Sequence, residues 1–306
     1  MTALGQSIGV KRLPLRFPGF ARRLWHWFAF QRLNQVFESA TIVPFDNAAR
    51  IVFFSDVHRG DNGPADAFAR NKALFLAALT HYYREGYTYV EVGDGDELWK
   101  NHRFSDIQHA HACVFDLLHQ FNRQKRLHLI VGNHDLPDMR ARHVEKDGIL
   151  TYEGLILRHT QTGQQVFVVH GHQADLTSDR LNGMGRFMIR HVWKRLQLLG
   201  WVATAGREDW KNKQGIIERR IIEWVEARRQ ITICGHTHRP ASTRYGAAPY
   251  FNTGSCVYPG YITGLELQDG KLHLVKWTAQ SGPTQTQMFP IQRESLAPPI
   301  KLHLLR

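Results

Sequence analysis

Five apolar runs of strand length in this chain each stop at a short stretch of carboxylates, amides or imidazoles. Ile51 to Ser55 ends at Asp56-Val57-His58, Tyr89 to Val92 at Gly93-Asp94, and Leu127 to Val131 at Gly132-Asn133-His134-Asp135. Gln165 to Val169 ends at His170-Gly171-His172, and Ile231 to Cys234 at Gly235-His236-Thr237-His238. A short continuous apolar run bounded by turn formers reads as a strand buried on both faces. The polar side chains then gather at one end of a sheet, where open α/β sheets build their sites.

Between the first three runs lie Ala65 to Glu85 and Phe104 to Gln124, of helical length and period, so this half alternates strand and helix with right-handed crossovers. After Asn133 the character changes. Gly154 to Thr160 and Gln165 to Val169 flank Thr162-Gly163 as a hairpin that starts a second sheet. Asp175 to Gln230 reads as mainly helical, with Ile216 to Arg229 amphipathic, and Ala241 to Trp277 as short antiparallel strands. The expected fold is α/β, an α+β four-layer sandwich: two facing mixed β-sheets flanked by helices, with a helical cap insertion. The expected division is a basic amphipathic N-terminal extension over 1–50, the main domain over 51–282 with the cap at about 175–230, and a loosely packed tail over 283–306.

The chain has 306 residues and 43% hydrophobic content, enough for a large core. Its net charge of +12 favours an anionic partner: a phosphate ester, nucleic acid or an acidic membrane face. No window reaches the roughly 18 to 20 apolar residues that cross a bilayer, and the N-terminus lacks a secretory signal pattern. The expectation is a cytoplasmic protein or one peripheral to the inner membrane face. Ala21 to Ala40 mixes Arg22, Arg23 and Arg32 with Leu24, Trp25, Trp27, Phe28 and Phe30. That helix either lies in a membrane interface or packs on its own core. The insert carries Trp193, Trp201, Trp210 and Trp224 with Arg186, Arg190, Lys194 and Arg195, a composition suited to acyl chains near an anionic head. Outside it no aromatic and basic interleaving marks a dedicated nucleic-acid module. Cys113, Cys234 and Cys256 form no paired motif and read as free, mostly buried thiols of a reducing compartment.

Carboxylate, amide oxygen and neutral imidazole suit two divalent ions, Mn²⁺ first, with Fe²⁺ or Zn²⁺ as alternatives. Asp56 and His58, two apart, can reach one ion across a turn, and His236 with His238 repeat that spacing. In order, the five stretches supply DxH, a GDxxD-like Gly93-Asp94-Gly95-Asp96-Glu97, GNHD, HG and GHxH. This set resembles the calcineurin-like metallophosphoesterase superfamily over about 51–256.

The resemblance implies one metal held by Asp56, His58, Asp94 and His238, and a second by Asp94, Asn133, His170 and His236, with Asp94 bridging. It implies hydrolysis of a phosphoester or pyrophosphate bond by a metal-bridging hydroxide. His134 is expected beside the scissile phosphate, protonating the leaving group or stabilising charge. The position of its usual carboxylate partner holds Glu97, preceded by Asp96, and either could orient it. Asp135 completes the expected catalytic set, and Arg59, His172 and Asn133 are expected at the substrate. Within the superfamily, the motifs with Leu98-Trp99 and Phe251-Asn252-Thr253-Gly254-Ser255 look most like the branch containing UDP-2,3-diacylglucosamine pyrophosphatases. Two departures, His172 in His-Gly-His and His134 where that branch has Arg, leave the bond better defined than the molecule. A UDP-sugar or lipid-linked diphosphate is the expected substrate. The alternatives are a phosphodiesterase or nuclease acting on nucleotides or nucleic acid, and a metal-binding scaffold without catalysis.

Overall fold

Strands that are apolar on both faces need cover on each side, and the chain provides it by facing two sheets together and placing helices outside. A computed structural model describes residues 19–101, 103–135, 145–175, 207–245, 248–279 and 291–302. In chain order these form helix α1 (Gly19–Ser39), strands β1 (Thr41–Phe45) and β2 (Ile51–Phe54), helix α2 (Lys72–Arg84), β3 (Thr88–Val92), helices α3 (Phe104–Ala110) and α4 (Ala112–Arg123), and β4 (Leu127–Ile130). There follow β5 (Glu145–Lys146), β6 (Ile149–Tyr152), β7 (Gly154–His159), β8 (Gln165–Val169), helix α5 (Arg207–Arg228) and β9 (Ile231–Cys234). The last strands are β10 (Ala241–Tyr245), β11 (Ala248–Asn252), β12 (Tyr261–Gln268), β13 (Lys271–Ala279), β14 (Ile291–Ser295) and β15 (Ile300–Lys301).

The nine-stranded sheet runs β14-β13-β12-β2-β3-β4-β6-β5, with β15 beside β13, and the six-stranded sheet runs β1-β7-β8-β9-β11-β10. β2, β3, β4 and β6 are parallel, as are β8, β9 and β11. Phe53, Val90, Ile130, Leu155, Val168 and Ile233 fill the space between the sheets. On the outer face of the larger sheet Val52, Phe54 and Tyr89 pack under Phe75, Leu79 and Leu118 of α2 and α4. On the outer face of the smaller sheet Phe167 and Tyr250 meet Leu33 and Val36 of α1 and Ile221 and Trp224 of α5. This is the expected sandwich of two mixed sheets flanked by helices, and each large apolar side chain it buries contributes about 1.5–3 kcal/mol.

The structure differs from the sequence reading in places. Helix α1 packs on the core, one of the two readings offered for it, with Ala29, Leu33 and Val36 buried, but the same stretch also adds a strand that reading lacked, β1, paired in parallel with β7. The C-terminal stretch, expected to pack loosely, extends the larger sheet through β14 and β15 on β13, because edge strand β13 offers a free ladder. The helix expected over 104–124 divides at His111, which turns inward to bond Asp66 at 2.8 Å. Cys113 is exposed, unlike Cys234 and Cys256. Of the expected cap, α5 is described. Trp193, Trp201, Arg186, Arg190, Lys194, Arg195 and the side chain of Trp210 lie outside the described residues.

Candidate metal centre

The carboxyl ends of β2, β3 and β4 in one sheet and of β8 and β9 in the other open at the same edge of the sandwich, and the five motif stretches meet there. Beyond β2 and β3 the pairing continues into the loops, with Asp56 N–H donating to Gly93 O at 3.0 Å, His58 N–H to Asp94 O at 2.9 Å and Arg59 N–H to Gly95 O at 2.9 Å. Asp56, His58, Asp94, His236 and His238 all have φ between +51° and +66°. Asp and His tolerate this left-handed region better than most residues, and its clustering here marks backbone held for the side chains it aims. Gly132 lets the GNHD turn lie against Asp94: a Cβ there would collide with the carboxylate and with its backbone nitrogen.

Three groups of metal-ligating atoms result, Asp56 with His58 and His238, Asp94 with His170 and His236, and His58 with Glu97 and His134, each within 4.8 Å of one another, and the first two hold the expected ligands. Asp56 Oδ2 is spent on the Ser55 hydroxyl and on the His236 N–H at 2.9 Å, which turns Oδ1 toward the first group. Asp94 Oδ1 accepts the His134 N–H at 2.8 Å, leaving Oδ2 at 3.2 Å from His170 Nε2 and 3.8 Å from His58 Nε2. One carboxylate oxygen thus faces the first two groups. His170 Nδ1 bonds Val92 O at 2.8 Å, which fixes the tautomer and leaves Nε2 bare.

Asp56 Oδ1, Asn133 Oδ1, His170 Nε2 and His236 Nε2 are buried and make no hydrogen bond. Asp56 Oδ1 does so even though His238 Nε2 lies 3.0 Å away. The atoms converge on common space, with His238 Nε2 facing Asp56 and His170 Nε2 facing Asp94. Buried polar atoms are almost always partnered, so this concentration of ligand atoms without hydrogen bonds is what a cation pair would satisfy, and the donor set of carboxylate, amide oxygen and imidazole fits hard or borderline divalent ions. The field agrees. Burial works to raise the Asp56 carboxyl, yet His238 and His170 hold it down to about 2. Burial works to lower His170, and Asp94 overrides it, lifting the imidazole to about 9.

At the mouth, His134 Nδ1 bonds Glu97 Oε1 at 2.8 Å, and Glu97 Oε2 lies 3.3 Å from His58 Nδ1. The carboxylate that orients His134 is therefore Glu97. Burial opposes charge on both, but His134 holds Glu97 well below the carboxylate range, while Glu97 and Asp94 raise His134. Asp96 turns away, taking Arg59 Nε at 2.7 Å and Lys146 Nζ at 2.7 Å.

Three further expected site residues are buried. The Arg59 guanidinium is fully buried, bidentate to Glu91 at 2.7 Å for each bond and committed to Asp96. Asp135 is buried behind the site, accepting Lys146 Nζ at 2.6 Å and the N–H groups of Asp96 and Gly132 at 2.8 Å each. His172 is buried beside the second group, its ring 5.5 Å from that of His170, and burial with His170 and His236 pushes it well below its ordinary value. Sequence reasoning passed over Glu91, Lys146 and the stacking of Trp99 on His134. Glu91 did leave a signal, a lone carboxylate inside the buried run Tyr89-Val90-Glu91-Val92, and Trp99 stood out only as part of the Leu98-Trp99 motif with no role attached, whereas Lys146 left none.

A family model described as calcineurin-like phosphoesterase matches residues 49–240. No curated protein matches the chain. Among solved structures, the phosphoesterase Yfce of E. coli is 18% identical with a TM-score of 0.37, over 74% of this chain and 91% of its own. Vacuolar protein sorting 29 of Cryptosporidium parvum is 13% identical with a TM-score of 0.39, over 82% and 98%. A predicted phosphoesterase from Streptococcus pneumoniae is 13% identical with a TM-score of 0.36, over 81% and 97%.

Proposed function

The chain belongs to the calcineurin-like phosphoesterase family and is a metal-dependent phosphoester hydrolase; from that premise we propose that it takes two divalent ions, Mn²⁺ foremost, and cleaves a diphosphate bond in a sugar nucleotide or lipid-linked substrate. The observation that carries the reading is the pair of ligand groups whose buried Asp56 Oδ1, Asn133 Oδ1, His170 Nε2 and His236 Nε2 make no hydrogen bond while Asp94 Oδ2 faces both groups.

Asp56, His58, Asp94 and His238 would hold one ion, and Asp94, Asn133, His170 and His236 the other. Bound there, the pair would supply Lewis acidity toward the phosphoryl oxygens and toward the water that attacks. The chain's own residues do the rest. The neutral Asn133 amide and the Nδ1–H bond of His170 to Val92 limit negative charge where an anion must enter. Glu97 holds Nδ1 of His134 and leaves Nε2 to give its proton to the departing oxygen. Arg59, Lys146 and Asp135 position the ligand loops from behind and do not touch substrate.

The lipid-linked reading is supported by placement. Helix α1 packs on the turn at His172–Ala174, next to the second ligand group, and exposes Leu24 and Trp27. The net charge of +12 suits an anionic head at a membrane face. Full-length protein loaded with Mn²⁺ should turn over UDP-sugar or lipid-linked diphosphates faster than cyclic nucleotides or phosphomonoesters, and Asp94→Asn or His236→Ala should reduce turnover at least about 10³-fold. Retained turnover in both variants would overturn the metal assignment, and a preference for monoesters the substrate class. Leu24→Glu with Trp27→Glu should weaken sedimentation with anionic vesicles; unchanged sedimentation would rule out that contact.

A further inference from the structure

His134 is held on three sides. Its backbone N–H is fixed by Asp94 Oδ1 and its Nδ1 by Glu97, and the ring of His58 meets it edge-on at 4.7 Å. A further support is Trp99, whose indole centroid lies 4.0 Å from the imidazole centroid at an interplanar angle of 21°. Trp99 is itself locked, since it is nearly buried and its Nε1–H donates to the backbone carbonyl of Asn133 at 2.6 Å. One indole thus joins the loop after β3 to the GNHD turn after β4 and lies flat against the imidazole between them.

We infer that Trp99 is a positioning residue for proton delivery: it fixes the plane of the His134 ring, so that Nε2 points at the leaving oxygen, and stabilises the imidazolium against its π-face. The inference rests on the reading that His134 is the proton donor. Glu97 fixes the position of Nδ1, but one hydrogen bond leaves the ring able to swing about it, and the stacked indole removes that freedom. An imidazolium stacked on indole gains cation–π attraction that a neutral ring lacks. In the step served, water's oxygen bonds to phosphorus, the bond from phosphorus to the leaving oxygen breaks with its electron pair on that oxygen, and the Nε2 proton moves to it. The proton lost by the water returns His134 to its charged form.

The consequence is a dependence on the leaving group. A p-nitrophenolate departs without a proton, whereas phenolate benefits from one, so damage to proton delivery appears on the poorer leaving group. In the Mn²⁺-loaded full chain, kcat/KM for p-nitrophenyl and phenyl diesters would be compared for Trp99→Leu, Trp99→Phe, His134→Ala and the Trp99→Leu/His134→Ala pair. Trp99→Leu should lose about tenfold more on the phenyl ester than on the p-nitrophenyl ester, a fraction of what a general acid supplies. Trp99→Phe, which keeps an aromatic face, should restore most of that selectivity. In the His134→Ala background Trp99→Leu should cost little further. Equal losses on both esters, or a full further loss in that background, would overturn the role. If His134→Ala itself shows no leaving-group bias, the proton-donor reading falls first and this inference with it. Should Trp99→Leu not fold, Trp99→Met, closer in volume and without a ring, reads the same split.

Discussion

Arg59 stands next to a metal-ligand candidate and invites the reading of a phosphate clamp, but its surroundings decide otherwise. All three guanidinium nitrogens donate, two to Glu91 and one to Asp96, and the face of Phe115 lies 5.3 Å from the group. Around it Lys146 and Asp135 complete a buried set of two cations and three carboxylates lying behind the loops that carry His58, Asp94 and Asn133. Removing one member of a buried pair leaves an uncompensated charge and costs about 3–5 kcal/mol. Arg59→Met should therefore lower stability to urea by about that much, while KM of the protein that remains folded stays close to that of the unsubstituted chain. A raised KM with unchanged stability would return Arg59 to the substrate. Residues whose chemistry is unusual for their place were legible in sequence: paired His two apart, Asp after an apolar run. Lys146 was not, because a lysine in a two-residue strand looks like solvated surface until the fold turns it inward to Asp96 and Asp135.

At the level of elements, what the sequence shows is where strands end, and the ends are what the site is made from. β2, β3, β4, β8 and β9 coincide with the apolar runs because a strand buried on both faces can hold almost nothing else. Helix breaks and edge pairings were illegible: α3 and α4 separate at His111 for a partner 45 residues away, and β14 joins β13 although all five of its residues are exposed. The turns between strand and ligand are the most demanding elements. Gly132 sits where its chain meets the Asp94 carboxylate and backbone, with no room for a methyl group. Gly132→Ala should push the β4 turn away from β3, separating Asn133 from the second ligand group. The expected result is at least about tenfold weaker Mn²⁺ binding by calorimetry, with a smaller loss of thermal stability than Arg59→Met causes. Gly163→Ala, in open space at φ +69°, serves as the control for backbone strain without collision. If the two variants bind Mn²⁺ alike, close approach at Gly132 is not what aligns the loop.

The whole molecule is two sheets whose shared edge is closed by charge. Asp94 follows β3 of one sheet and His170 follows β8 of the other, and their 3.2 Å approach ties the sheets where the intersheet apolar core ends. Without metal this tie depends on a proton. His170 is raised from 6.5 to about 9 on folding, mainly by Asp94 acting against burial. A group whose folded value is raised gives stability that is fully present below its unfolded value and lost as pH rises through the folded one. Asp56 and Asp96 move the other way, from 3.8 to about 2, and their contribution is present above 3.8 and lost as pH falls toward 2. From these groups metal-free protein should lose melting temperature as pH rises from about 6.5 toward 9 and again as it falls from about 3.8 toward 2, while His172 and His236, held below their ordinary value by burial, give stability that is present above 6.5 and lost as pH falls below it. A metal ligand must be a neutral imidazole, so binding displaces the His170 proton and supplies the positive charge itself. Mn²⁺ should therefore remove the alkaline decline up to about pH 9, and the gain in melting temperature on adding it should shrink as the solution is acidified. Melting curves across this range, with and without Mn²⁺, read both effects. An alkaline decline that persists unchanged under saturating Mn²⁺ would mean that His170 is not where the cation replaces a proton, and that the two sheets are closed at this edge by some other tie.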